Sequence, residues 1–69
     1  MFNVDQRVRV QLDGTSKYGR IIGHGFVERP FNGEMVPLYI IELETAFWSE
    51  DKSIFITAIV ADPDCVKKI

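Results

Sequence analysis

A chain of 69 residues is less than half of a typical domain of roughly 150 residues, so a second domain is excluded. One Cys and one His allow no internal disulfide and cannot supply the four ligands of a structural zinc site. The net charge is −2 and the pI about 5.2, which counts against indiscriminate binding of polyanions.

So small a fold buries only roughly 60% of its unfolded surface and needs support from disulfides, metals or association. Here the first two are missing, and an apolar content of 46% suits association. The lone Cys65 suits a reducing compartment, so a soluble cytoplasmic protein is expected. Neither a signal peptide nor an apolar run near the ~20 residues of a membrane span is present. A chain opening at Met1 reads as a complete small product. Charge is uneven along it. Arg7, Arg9, Lys17, Arg20 and Arg29 meet three acids in residues 1–29, whereas Lys52 alone faces seven acids in residues 30–64.

Alternation with period two dominates the chain and predicts strands. In Arg7-Val8-Arg9-Val10-Gln11-Leu12 the apolar residues point inward and the polar ones outward. Asp13-Gly14-Thr15-Ser16-Lys17 is turn chemistry and stops that strand. A second strand is predicted from about Gly19 to Glu28 and a third from about Val36 to Glu44. Between them Asn32-Gly33 predicts a two-residue type I′ hairpin, because both residues tolerate positive φ. That turn sets Phe26 opposite Tyr39, His24 opposite Ile41 and Ile22 opposite Leu43. Pro30 and Pro37 donate no ladder bond, which marks the far end of the hairpin as a free edge.

Tyr39, Ile41 and Leu43 face the core. Phe47 and Trp48 fall in the connection to the next strand. Ile54-Phe55-Ile56-Thr57-Ala58-Ile59-Val60 is apolar on both faces and too short for a buried helix. Asp62-Pro63-Asp64 forms one tight turn, and Val66 to Ile69 supplies a short last strand.

The order of these elements resembles the SH3-like barrel: five short strands with one 3₁₀ turn before the last. Gly19-Arg20-Ile21-Ile22-Gly23 is similar to the Gly-x-Ile/Val-x-Gly opening of the second strand in KOW-type and Tudor-like barrels. Tyr39-Ile40-Ile41-Glu42-Leu43-Glu44 looks like their third strand. Ile59-Val60-Ala61-Asp62-Pro63-Asp64 is similar to the ends of short proteins of marine bacteria and their phages. The resemblance implies an all-β fold and a binding or ring-forming role, without choosing among partners. It puts Ile21 inside where the hairpin register puts Ile22. A β-bulge at Gly23 or Gly25 reconciles the two.

Candidate sites follow from residue chemistry. His24 lacks a nucleophile and an orienting partner, so no catalytic site is expected. It reads as a hydrogen-bonded wall residue, or as a ligand where a partner meets the thin Gly23-His24-Gly25 backbone. Asp62 and Asp64 read as a turn rather than a metal site, and no cofactor is expected. Three binding surfaces are candidates. The resemblance to Tudor-like barrels implies that Tyr18, Phe47 and Trp48, with Glu50 beside them, meet at one end as an aromatic site for a cation. The alternative is that they plug the barrel or anchor a subunit contact. Arg7, Arg9 and Arg20 form a basic face that suits a phosphate backbone, or merely a charged edge. Leu38, Ile40, Phe55 and Ile59 point outward as an apolar interface, unless Met1, Phe2 and Val4 cover them.

The function expected is a non-catalytic binding or assembly module that contacts proteins, including copies of itself. The alternative is a sequence-independent RNA- or DNA-binding barrel. No membrane role is expected.

Overall fold

A computed structural model of the chain describes residues 2–12 and 14–69. Five strands form one antiparallel sheet in the order β4-β3-β2-β1-β5. They are β1 (Arg7–Leu12), β2 (Thr15–Glu28), β3 (Met35–Ser49), β4 (Ile54–Ala61) and β5 (Val66–Lys68), with a single 3₁₀ turn at Pro63–Cys65 before β5. The sheet is open, because among the described residues β4 and β5 do not pair with each other.

The alternation read in β1 is the observed one. Val8 and Val10 are fully buried, and Arg7, Arg9 and Gln11 are exposed. Ile21, Tyr39, Ile41, Leu43, Ala61 and Val66 complete the buried cluster. The sheet therefore folds one face onto itself. Phe2, Leu12, Phe47 and Ile59 pack around the rim of that cluster. Truncating a fully buried residue such as Ile41 to Ala costs about 2–5 kcal/mol, most of what so small a domain has to lose.

The turns differ from the sequence expectation in an instructive way. Leu12 pairs directly with Thr15, so the tight two-residue hairpin lies between β1 and β2, with Gly14 at φ 76°. Asp13 lies outside the described residues. β2 consequently begins at Thr15, and Ser16, Lys17 and Tyr18 are strand rather than turn.

The β2–β3 connection is a longer loop than predicted. Arg29 N–H donates to the Glu34 carbonyl at 2.8 Å, and Gly33 N–H donates to the Arg29 carbonyl at 2.9 Å. Gly33 has φ 69° and Asn32 does not share it. Asn32 uses its side chain instead, its Oδ1 accepting from Glu34 N–H at 2.9 Å. Such a side-chain turn satisfies Asn without left-handed backbone.

The longer loop moves the partners by two positions. His24 now faces Tyr39, and Phe26 faces Pro37. A two-residue shift preserves side-chain faces as far as the bulge, which is why Tyr39, Ile41 and Leu43 were legible as core although their partners were not. A bulge between Ile21 and Gly23 then sends Ile21 fully inside and leaves Ile22 46% exposed. The conflict between the two predicted registers is thus resolved by the bulge. Pro37 lies beyond Tyr39, the last residue that β4 reaches, so its missing N–H leaves no ladder bond unmade.

β3 runs on through Phe47 and Trp48, which the sequence placed in a loop. Its pairing with β4 breaks between Glu42 and Phe47. Residues 43–46 of β3 pass opposite Thr57 alone, and the side-chain phase of β4 changes there. Ile59 and Ala61 turn inward in the second half of the strand, and Ile56 turns inward in the first. Strict alternation along β4 had put Ile56 and Ile59 on opposite faces.

Candidate interaction surface

The outer face of the sheet divides into a basic half and an apolar half. On the basic half Arg9 stands between Tyr18 of β2 and Lys67 of β5. Arg7 lies opposite Arg20. Arg7 leans over the Tyr18 ring, with its guanidinium carbon 4.6 Å from the centroid. It makes a two-pronged hydrogen bond to Glu44, the Nη2 arm at 2.9 Å. That bond raises the Arg7 pKa and holds the Glu44 carboxyl below its ordinary range. Arg20 donates to the Asp5 carbonyl at 2.9 Å. Among the described residues Arg9 makes no ion pair, and it lines a shallow groove of about 240 Å³ with Tyr18, Lys68 and Ile69. Of the predicted basic trio, two members are already engaged.

The apolar half is built on β2, β3 and β4. Ile40 is its centre, 36% exposed, with Gly23 opposite on β2 and Val60 opposite on β4. Glycine at Gly23 and Gly25 leaves Ile40 and the half-buried Leu38 without a cover on the β2 side. Val27 and Val60 extend the patch as exposed residues. Phe55 is 66% exposed and meets Trp48 edge to face at 5.0 Å.

Of the four residues expected to point outward, Leu38, Ile40 and Phe55 lie on the outer face, whereas Ile59 turns toward the core because of the phase change in β4. Val60, 62% exposed, takes the outward place. Among the described residues of the N-terminal segment, none covers this surface. Phe2 packs on the buried Tyr39 at 5.5 Å and its N–H donates to the Tyr39 hydroxyl, and Val4 stays exposed. Met1 lies outside the described residues.

The aromatics expected to converge are separated by their strands. Tyr18 is held under Arg7 on the outer face. Phe47 packs on the core, and Trp48 pairs with Phe55. Glu50 begins the exposed turn after β3. Phe55 is the aromatic partner that sequence reasoning missed. Its signal was its place opposite Trp48, which required the irregular β3–β4 register.

His24 lies on an exposed strand position with its ring edge to face with Tyr39 at 5.2 Å. Asp62 Oδ1 accepts from Asp64 N–H at 2.9 Å and caps the 3₁₀ turn. No helix among the described residues is long and apolar enough to cross a membrane. What the strands and surfaces define is a small all-β fold whose outer face is basic in one half and apolar in the other. Comparison with family models, with curated proteins and with solved structures finds no match.

Proposed function

We propose that this protein is a non-catalytic binding and assembly module that works through protein–protein contact and associates with itself. One observation carries the reading: an apolar surface centred on Ile40 and running from Val27 to Val60 lies on the outside of the sheet, with the exposed Trp48–Phe55 pair beyond Glu42 and Ala58. A monomer rarely leaves such a patch in water unless it serves a contact. Aromatic residues at its margin, Trp48 and Phe55, are the type that anchors interfaces. Strand order and the 3₁₀ turn before β5 support an SH3-like reading of the architecture.

Light scattering of the purified protein at high micromolar concentration tests the proposal. A mass above one chain is expected, and Phe55→Glu reduces it. A strictly monomeric parent overturns self-association.

A second reading rests on the row Tyr18–Arg9–Lys67. An arginine with no ion pair among the described residues, a lysine and an exposed ring suit a nucleic-acid backbone and base. Single-stranded RNA binding that weakens with salt and is lost in Arg9→Ala would favour it. The engagement of Arg7 by Glu44 and the acidic pI weigh toward the first.

A further inference from the structure

Of the exposed apolar residues on which self-association was proposed, Val60 and Phe55 lie on the edge strand β4 and Ile40 one strand in, so either that edge or the outer face could meet the copy. β4 and β5 are the two free edges of the sheet. They differ sharply in what they offer. β5 is three residues long and carries Lys67 and Lys68, the charged, short form of edge that resists pairing. β4 is eight residues long, Ile54-Phe55-Ile56-Thr57-Ala58-Ile59-Val60-Ala61, with no charge, no proline and an unpaired row of backbone donors and acceptors along its free side.

We infer that two copies of this chain pair through β4, antiparallel and in full overlap, to make one continuous sheet across a two-fold axis between Thr57 and Ala58. The phase change in β4 is what makes this register fit. In a regular strand of even length, full antiparallel overlap sets each outward residue against an inward one of the copy. Here Phe55 is outward in the first half, and Ala58 and Val60 are outward in the second. Full overlap therefore sets Phe55 beside Val60 of the copy on the outer face, and the exposed Thr57 beside Ala58. It sets Ile56 beside Ile59, both half-buried on the inner face, and Ile54 beside Ala61. Every direct neighbour is apolar or small, and no charge is buried. Each outer row becomes Ile40, Val60, then Phe55 of the copy and its Trp48. The irregularity that disrupts pairing with β3 restores self-complementarity on the other side.

This inference rests on the reading of the protein as self-associating, and the experiment separates the two. With Cys65→Ser as background, Phe55→Cys and Val60→Cys chains are oxidised singly and as an equilibrated mixture. Both positions are exposed. The mixture is expected to give a disulfide-linked pair joining residues 55 and 60. The single variants are not, since residue 55 of one copy lies roughly 17 Å along the strand from residue 55 of the other. A mixture of Thr57→Cys and Ala58→Cys chains, which keeps Phe55, carries the same expectation of a linked pair. Ile40→Glu, one strand away from the edge, is expected to leave the mass by light scattering at two chains.

An associated parent whose mixtures do not link, or whose Phe55→Cys chain links to itself, overturns the edge pairing and leaves self-association standing. So does dissociation by Ile40→Glu, which would mark the outer faces as the contact. A mass above two chains overturns the two-fold pairing in favour of an open or ring-like β4-to-β5 assembly. A monomeric parent overturns both.

Discussion

Gly19 shows how a single position is set by its surroundings. It lies in β2 opposite the buried Leu43 of β3. A Cβ there would stand 2.6 Å from Ile41 Cγ2 and 2.7 Å from the Glu42 carbonyl oxygen. The second contact is backbone and has no room to give. Gly19→Ala is expected to cost about 1–3 kcal/mol by overpacking, read as a fall in the denaturation midpoint. Gly25→Ala, where nothing lies within 4 Å, is the control and is expected to change stability little.

Glu44 sets the acid limb of stability at the same scale. The Arg7 hydrogen bond lowers its pKa below the ordinary 4.5. A depressed folded-state pKa stabilises above the unfolded value, and that contribution is lost as pH falls through the folded value. Melting temperature measured from about pH 6 to about pH 3 should therefore fall further in the parent than in Glu44→Gln, the two curves converging in acid. The pair is solvent-exposed, so the difference is small. Curves that stay parallel would show that the Arg7–Glu44 contact contributes nothing.

Among the elements, the β2–β3 hairpin depends on its loop and on its bulge. Gly33 at φ 69° is the one loop position that demands left-handed backbone. Gly33→Val is expected to cost about 1–3 kcal/mol, the strain of a β-branched residue held there. Asn32→Ala is expected to do less, because it removes one exposed side-chain turn and no backbone constraint. Equal losses in the two variants, measured by thermal unfolding, would contradict this loop geometry. Asn-Gly announced a turn correctly and its type incorrectly. The side-chain bond from Asn32 Oδ1 to Glu34 N–H competes with positive φ at Asn32, and local sequence does not say which wins.

For the whole molecule, the balance is between a small core and a large apolar outside. Among the described residues eight form the buried cluster, while Phe55, Val60 and Trp48 stay in water. Linkage requires that a self-associating chain melt at a temperature that rises with its concentration. A hundredfold dilution from high micromolar is expected to lower the melting temperature of the parent and leave that of Phe55→Glu unchanged. A parent whose melting point ignores dilution would leave this surface for a different partner.

Period-two alternation by itself determined the core face of β1 and of the middle of β3, because side-chain direction along a regular strand is a local property. Val8, Val10, Tyr39, Ile41 and Leu43 needed no partner to be read as inward. The 3₁₀ turn was equally local, since Pro63 and the capping Asp62 act within three residues. Register was not local. The bulge that chooses Ile21 over Ile22, the irregular span that brings Trp48 to Phe55, and the inward turn of Ile59 each depend on which strand lies alongside. The same holds for the basic face. Arg7, Arg9 and Arg20 look equivalent in sequence, and only the folded sheet places Glu44 within reach of Arg7 and leaves Arg9 open. Pairing between distant segments decided these features, because a hydrogen-bonded ladder and a shared core constrain two strands together where neither constrains itself.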